Sequence, residues 1–396
     1  MLDLKTIEFL LNLPYLRLSG VHLDKGTLHI DCHSILEETI CPNCLKKVSE
    51  VKKRTTRIVR DLSIVGNVVQ LHLESRQFRC SDCNCYVHEH FDFVDSSRTM
   101  TKRYEKYVYE CCRNSSIERV SLQENIVWDT VQFIFTRYAK KETQFLKDYQ
   151  PTRIGIDEFA IKKGHKDFAT VIVDLDKGHV IDVLDFRTKD ELIAYFEAKG
   201  AVFCSKIEVF SCDLWDGFLA TARAVFPNAD IVADRFHVFK LLNEVLNKER
   251  KKLRAEFKND EDYKAIKWLL FKHWENLNDK QKRTLLRAFK KSNTLRQLYF
   301  AKNELRNIFE SACSKDQAKI IVQQWIEQAK NIKHNILNTF INTLERHFEN
   351  ILNFFTHRVS NAIVEGVNNV IKAIKRNGFG FRNFDNFKLK IQCQFL

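Results

Sequence analysis

Short apolar runs separated by polar turns characterise the middle of the chain. Three of them have the length and the β-branched residues of strands: RIGIDEFAI (153–161), DFATVIVDL (167–175) and HVIDVLDF (179–186). A helical pattern, KDELIAYFEAK, follows. The strand IEVFSCD then ends at Asp213, and after the helix LWDGFLATARAVF a short strand, ADIVAD, ends at Asp234. The pattern predicts three strands, a helix, a strand, a helix and a strand.

This succession is that of an RNase H-like fold, an α/β fold with a mixed sheet and flanking helices, in which the first strand lies beside the fourth. Neighbouring strands are about 4.8 Å apart, so acids at the ends of both can share one metal ion. Asp157 on the first strand and Asp213 at the end of the fourth meet this condition. We therefore expect the first part of the α/β core at 150–240.

Helical patterns replace the strands over residues 241–355. The segment KLLNEVLNKERKKLRAEFK is basic and amphipathic. Five apolar residues further on recur every four positions, which predicts an apolar face on one helix: Ile332, Ile336, Phe340, Leu344 and Phe348. We expect an all-α insertion here, with the last part of the α/β core at 356–396.

Two CxxC pairs lie in the N-terminal part of the chain. The segments RIVRDLSI and VVQLHLES between the pairs are predicted strands around a turn at Gly66–Asn67. Four thiolates in such pairs suit one tetrahedral, structural zinc ion, so residues 1–95 are predicted to form a zinc-ribbon domain. The predicted ligands are Cys41, Cys44, Cys80 and Cys83. The fourth ligand stays open, because three further candidates follow closely: Cys85, His88 and His90.

Residues 98–145 show three short helical patterns with a basic rim. The segment SRTMTKRYEKYVYECCRNSS carries apolar residues at helical spacing, and Ser115 or Ser116 can cap the next helix, IERVSLQE. After a turn near Asn125, WDTVQFIFTRYAKK reads as a third helix. Three such helices fit a helix-turn-helix, which places its last helix in a DNA groove.

Composition agrees with a nucleic-acid partner. The 396 residues are 44% apolar and carry a net charge of +13, which indicates an anionic partner in a globular protein. Only 11 Gly and 4 Pro favour long helices over a loop-rich fold. The 12 Cys without a recognisable secretion signal favour metal binding in the cytoplasm over disulfides. No apolar stretch is long enough to span a membrane.

A single acid, Glu365, stands in the basic segment SNAIVEGVNNVIKAIKRNGFGFRNF (360–384). By itself it would be an ordinary acid at a helix start. Together with Asp157 and Asp213 it can hold two magnesium ions, or manganese, which activate the nucleophile and stabilise the leaving oxygen in phosphodiester chemistry. The basic residues around it are predicted to hold DNA phosphates: Lys372, Lys375, Arg376 and Arg382.

Other polar residues compete for these roles. Asp216 falls in the first turn of a helix, where the helix dipole favours an acid without any ligand role. Asp234 and His237, at the end of the fifth strand, can assist the metal site, contact DNA or have only a structural role.

Four segments, GIDEFAIKKGH, DLWDGF, FPNADIVADRFHVFK and SNAIVEGVNNVIKAIKRNGFGFRNF, resemble the ISL-three family of bacterial insertion-sequence transposases. The resemblance covers nearly the whole chain in the family's order of zinc-binding N-terminus, helix-turn-helix and catalytic domain of the Asp-Asp-Glu type. It implies Asp157, Asp213 and Glu365 as the triad. It also implies a transposase that binds the terminal inverted repeats of its own element and moves it by cutting and strand transfer.

We further expect a homo-oligomer on double-stranded DNA. Two other functions fit parts of the pattern. A structure-specific nuclease on the same fold would share the three acids but would not need the two N-terminal domains. A catalytically silent DNA-binding regulator would keep those domains, but the presence of all three acids speaks against it.

Overall fold

Two units make up the molecule, Met1–Lys141 and Glu142–Leu396. The structure is a computed structural model, and it describes residues 4–161, 167–253, 263–359, 362–378, 381 and 383–396. Arg382, one of the predicted DNA contacts, lies outside these described residues. Within them, no helix combines the length and the apolar character that a membrane span requires.

The first part of the N-terminal unit is mostly antiparallel sheet. Its strands follow the order β1-β2-β6-β5, and β7 pairs with β6. The predicted hairpin is confirmed as β5 and β6, although both strands are longer than predicted. The elements are α1 (Leu4–Leu11), β1 (Leu16–Asp24), β2 (Thr27–Ser34), β3 (Thr39–Ile40), β4 (Lys47–Val48), β5 (Val51–Ile64), β6 (Asn67–Arg79) and β7 (Tyr86–His88).

Alternation of apolar residues fixes the register of this hairpin. Val69, Leu71 and Leu73 on β6 are buried against Val59 on β5, while the residues between them stay partly exposed. The turn is Val65–Gly66, one residue earlier than predicted, and both residues have positive φ. Positive φ at both turn residues is the two-residue hairpin geometry that matches strand twist. The hydrophobic pattern does not predict β1 and β2, because buried and exposed positions alternate over only part of β1.

Three helices end the N-terminal unit, at the three predicted positions. Ser116 caps the second helix by accepting a hydrogen bond from the backbone N–H of Arg119. Asn125, in the left-handed conformation, ends that helix and begins the turn to the third. The helices are α2 (Lys102–Asn114), α3 (Ile117–Glu124) and α4 (Trp128–Thr143).

A five-stranded mixed sheet forms the centre of the second unit. Its strands are β8 (Arg153–Ala160), β9 (Phe168–Asp174), β10 (Val180–Leu184), β11 (Val209–Cys212) and β12 (Asp230–Ala233), in the order β10-β9-β8-β11-β12. The first three pair antiparallel, whereas β8, β11 and β12 run parallel. The prediction that the first strand lies beside the fourth is therefore confirmed.

Helices cover both faces of this sheet. One face packs Ile154, Ile156 and Phe210 against α5 (Lys189–Lys199), α6 (Ala201–Ser205) and α7 (Asp216–Val225). The other face joins a larger core built with the remaining helices. These are α8 (Arg235–Lys252), α9 (Tyr263–Phe271), α10 (Asp279–Lys291), α11 (Asn293–Glu310), α12 (Lys315–Lys330), α13 (Asn335–Arg346), α14 (Phe348–His357), α15 (Ala362–Asn377) and α16 (Phe384–Gln394).

The predicted apolar stripe on one helix is wrong. Ile332 lies in the turn after α12, Ile336 lies on α13, and Phe348 begins α14. The turn contains Lys333 with positive φ, and His334 caps α13 by accepting a hydrogen bond from the N–H of Leu337. A four-residue spacing of apolar residues continues through such a short turn, so it does not reveal where one helix ends.

Candidate active site and cysteine cluster

Three aspartates occupy equivalent positions on the three parallel strands. Ser211 on β11 pairs with Gly155 on β8. Continuing this register by two residues sets Asp213 opposite Asp157. On the other side of β11, Cys212 pairs with Ala233 of β12, so the next residues are Asp213 and Asp234. The three carboxylates therefore lie side by side across the sheet, Asp157 within β8 and the other two directly after the ends of β11 and β12.

Burial and mutual repulsion act on these carboxylates together. Burial, helped by the charges of Asp213 and Asp234, raises the pKa of Asp157 to about 6, although the N–H of Glu158 donates to its Oδ1 at 2.8 Å. Burial also raises the pKa of Asp213, against a hydrogen bond from the N–H of Trp215 at 3.0 Å. The ionised forms of Asp157 and Asp213 are thus disfavoured by their surroundings, which a cation would relieve.

Asp234 is the most buried of the three and has another role in the local structure. It is 4% exposed and caps α8 by accepting a hydrogen bond from the N–H of Phe236. Its second oxygen lies 2.9 Å from Nδ1 of His237, and this hydrogen bond is the main cause of a raised pKa of His237. The charge of His237 in turn stabilises ionised Asp157 and Asp213. Asp234 thus caps α8 and holds His237, and the charge of His237 acts on the other two aspartates.

Helix α15 brings a residue that the sequence analysis missed. Asn368 is 6% exposed, and its Nδ2 donates to Oδ2 of Asp157 at 2.7 Å. Its Oδ1 is buried and has no hydrogen-bond partner. A buried amide oxygen without a partner is costly, so it marks a position where a ligand or water can bind. The helical spacing of Val364, Val367 and Ile371 places Asn368, but not Asn369, on the apolar face of α15, and this is the sequence signal that could have singled it out.

Glu365 lies in the first turn of α15, three residues before Asn368, and is exposed. Residues three apart in a helix lie on neighbouring positions of one face. The hydrogen bond from the side-chain amide of Asn368 to Asp157 therefore places the helix turn that carries Glu365 beside β8. The apolar side of α15 packs into the larger core of the second unit, where it buries Val364, Val367 and Ile371.

The predicted DNA contacts on α15 divide into two kinds. Lys372 and Arg376 are exposed and lie seven and eleven residues after Glu365, which places all three along one stripe of the helix. Lys375 is half-buried, and its Nζ donates to the backbone carbonyl of Ala160 at 2.8 Å. This lysine ties α15 to the end of β8.

Asp216 lies at the start of a helix, as predicted. It lies in the first turn of α7, is exposed, and its Oδ2 accepts a hydrogen bond from Arg346 at 3.0 Å. These contacts account for the residue without any metal.

Five cysteines converge in the N-terminal unit. The Sγ atoms of Cys41, Cys80, Cys83 and Cys85 all lie within 4.8 Å of one another. The Sγ of Cys44 joins them at 3.5 Å from Cys80 and 3.7 Å from Cys83. In a tetrahedral site with zinc–sulfur bonds of about 2.3 Å, neighbouring sulfurs would be roughly 3.8 Å apart. The donor type and the spacing therefore fit zinc.

Two short turns present these thiols. The first follows β3 and contains Leu45, with positive φ, whose N–H donates to the carbonyl of Cys41. The second follows β6 and contains Asn84, also with positive φ, and there the N–H of Cys80 donates to the carbonyl of Cys85. Val48, Phe78 and Val87 pack around the cluster.

The histidines named as alternative ligands make other contacts. His88 lies 3.3 Å from the side-chain amide of Gln77, and His90 lies 3.3 Å from Asp92. Cys85 is thus the candidate that joins the four predicted cysteines. Among the residues described, only the cysteines bring three or more ligand atoms within 4.8 Å of one another.

Comparison with known families defines the class of this protein. A transposase model of the ISL3 group matches residues 154–391, which is more than half of the chain. A zinc-finger model of the transposases of IS204, IS1001, IS1096 and IS1165 matches residues 37–83. A model for the helix-turn-helix domain of transposase family ISL3 matches residues 89–139. The chain belongs to the ISL-three (ISL3) family of transposases.

Two curated proteins extend this result. The transposase for insertion sequence element IS1001 of Bordetella parapertussis is 28% identical over 93% of this chain and 92% of its own length. The transposase for insertion sequence element IS1557 of Mycobacterium tuberculosis is 27% identical over 65% of this chain and 63% of its own length. This chain is accordingly a DNA transposase that has a zinc ribbon and binds DNA through a helix-turn-helix domain.

Proposed function

We propose that this transposase cuts and joins DNA strands at an RNase H-like active site formed by Asp157, Asp213 and Glu365. The observation that carries the proposal is the hydrogen bond from Asn368 to Asp157, because it fixes the helix of Glu365 beside β8, the strand of Asp157. The strand order and the parallel pairing of β8 with β11 support the RNase H-like assignment.

The donor set at this site fits magnesium or manganese. Carboxylate and amide oxygens are the hard ligands that Mg²⁺ prefers. Asp157 and Asp213 would hold the ions from the sheet and Glu365 from α15, while the unpartnered Oδ1 of Asn368 offers one more oxygen acceptor. When bound, a pair of divalent ions activates the attacking oxygen and stabilises the leaving oxygen of a phosphodiester.

The remaining residues at the site position these ligands. Asn368 orients Asp157, while Asp234 holds His237 in place. The positive charge of His237 lowers the repulsion among the aspartates when no ion is bound. Lys372 and Arg376, exposed on the stripe of Glu365, would bind phosphates near the reacting bond. Lys375 has mainly a structural role because it binds the carbonyl of Ala160.

DNA recognition and catalysis belong to different domains in this proposal. We assign 1–95 to the zinc ribbon and 98–145 to the helix-turn-helix, which together recognise the terminal inverted repeats of the element. The catalytic core takes 150–240 and 356–396, separated by an all-α insertion at 241–355. Two ends of an element must be joined to one target, so a homo-oligomer on double-stranded DNA is the natural working form.

The identity of the second acid can be tested with three variants. Asp213→Asn should abolish cleavage, because Asp213 is in register with Asp157. Asp216→Asn should leave most of the activity, because it removes only an exposed pair with Arg346. Asp234→Asn should give an intermediate loss, since it weakens the hold on His237. All three are measured on the same labelled DNA end with Mg²⁺ and then Mn²⁺. Full activity in Asp213→Asn, with one of the others inactive, would overturn the assignment.

Asn368 provides a second test. Asn368→Ala should lower the cleavage rate or the apparent magnesium affinity by about 10- to 100-fold, the usual effect of removing a residue that orients a metal ligand. Asn369→Ala is the matched control, because Asn369 is its exposed neighbour on the same helix. The measurement is cleavage against magnesium concentration. An Asn368→Ala curve that coincides with that of Asn369→Ala would show that the amide only fills space.

A further inference from the structure

A basic depression lies on the helices of the second unit, distant in sequence from the residues discussed above. It has a volume of about 740 Å³ and is formed by α10 and the start of α11. Thr284 and Phe289 form part of its lining and are buried. Its remaining lining includes five exposed cations, Lys280, Arg283, Arg287, Lys290 and Arg296. We call this surface the α10–α11 depression.

The spacing of residues in α10 explains how the cations come together. Lys280, Arg283, Arg287 and Lys290 follow one another at intervals of three, four and three, so they lie along one side of the helix. The opposite side buries Leu285 and Ala288 in the core, which fixes the rotation of the helix. A capping box at Asn278 fixes its start. The row of cations is thus held in place by packing.

Cations dominate the lining of this depression. From Lys280 to Asn303 the sequence has eight Lys and Arg and no Asp or Glu. Lys280, Arg283, Lys290 and Arg296 have no ion-pair partner among the described residues, and no described acid lines the depression. Some cations elsewhere in the helical region are paired, as Arg306 is with Glu310 and Lys330 with Glu327. Clustered like charges repel one another, and a bound anionic ligand would relieve this repulsion.

We propose that the α10–α11 depression binds the phosphate backbone of duplex DNA, separately from the helix-turn-helix and from α15. From Lys280 to Lys290 the helix rises about 15 Å, which is long enough to pass several phosphates. Of the two apolar residues in the described lining, Leu286 is exposed but not aromatic, and Phe289 is buried, so neither offers an aromatic face on which a single-stranded base could stack. Lysines and arginines without such a face bind the backbone independently of sequence. The inference rests on the proposed function, because it takes the ligand to be the DNA that the transposase acts on.

The test compares two double variants of the full-length chain. Arg283→Gln/Lys290→Gln removes two cations of the depression, and Arg306→Gln/Lys330→Gln removes the same charge from paired positions nearby. Affinity for a duplex without inverted repeats is measured by fluorescence anisotropy over a range of salt concentrations. The first variant should bind at least about tenfold more weakly at 0.1 M salt and lower the slope of log affinity against log salt by about 2, since each phosphate contact contributes about 0.9. The second should keep the wild-type slope.

The outcomes separate this surface from the active site. Equal slopes for the wild type and both variants, with unchanged unfolding midpoints, overturn the proposal. A variant of the depression that keeps its duplex affinity but loses binding to an acidic peptide overturns it as well, in favour of a protein partner. If the wild type binds through the depression but never cleaves a DNA end, the surface stands and the proposed catalytic function fails.

Discussion

Asp157→Asn should abolish cleavage of a transposon end while leaving the binding of that end intact. The change removes the carboxylate at the centre of the site but keeps the side-chain size, so the rate should fall by at least about 100-fold, as when other transition-state contacts are removed. DNA binding by the helix-turn-helix lies in the other unit of the chain and should not respond. Cleavage of a labelled end and its gel shift, measured on the same preparation, check both statements.

Stability provides the control for this variant. Burial and neighbouring charges raise the pKa of Asp157 to about 6, above the usual value of an aspartate. A raised pKa means that ionised Asp157 costs folding free energy; the cost develops as the pH rises from the ordinary pKa of 3.8 to about 6, and it is fully present at pH 7.5. Without divalent ions, Asp157→Asn should therefore unfold at a temperature no lower than that of the wild type. If the variant were unfolded, its loss of cleavage would say nothing about catalysis. If folded Asp157→Asn cleaved the DNA end at the wild-type rate, the assignment of Asp157 to the active site would be contradicted.

The second large effect concerns zinc. Purified, reduced protein should contain about one zinc per chain, because the clustered thiolates provide a complete tetrahedral set. Cys41→Ser and Cys80→Ser should lose most of this zinc and bind DNA ends weakly, because both cysteines are buried at the centre of the cluster. Metal analysis and a gel shift measure the two effects. Cys313→Ser, in the second unit, is the control and should keep the zinc.

The cluster contains one cysteine more than a tetrahedral zinc ion needs. Four of the five thiols suffice for one ion, so the exposed or half-buried cysteines need not be equivalent. Cys44→Ser and Cys85→Ser, compared in the same metal analysis, show which of the two completes the site. Wild-type protein that carries no zinc when purified under reducing conditions would defeat the account of this domain.

The strand order and the place of the aspartates could be predicted from sequence for a physical reason. Strands buried on both faces are nearly continuous apolar runs, so the acid that ends each run is conspicuous, as Asp213 is after IEVFSC. Parallel pairing then brings such ends together. The same reasoning does not give the role of Asn368, because helical spacing places it on the apolar face of α15 but does not show which residue its amide contacts. Only the packing of α15 on β8 shows that it reaches Asp157.

Other features depend on contacts that are remote in sequence. β1 and β2 join the N-terminal sheet through pairing of β2 with β6, some forty residues away in the chain, and their own pattern is weak. The inclusion of Cys85 in the cysteine cluster depends on the turn at Asn84, whose left-handed conformation the spacing of the cysteines does not predict. The ends of α12, α13 and α14 depend on local caps rather than on the apolar repeat.

Glu365 is the residue on which the account of catalysis depends most, because it is exposed and α15 alone brings it to the site. The most direct test is the cleavage rate of Glu365→Gln on a labelled inverted-repeat end in magnesium, beside the wild type and with end binding measured in parallel. The account predicts that cleavage is lost while binding persists, because the amide keeps the size of the side chain but not the charge that holds the metal. Cleavage at the wild-type rate would contradict the account and leave Glu365 an ordinary residue in the first turn of a helix.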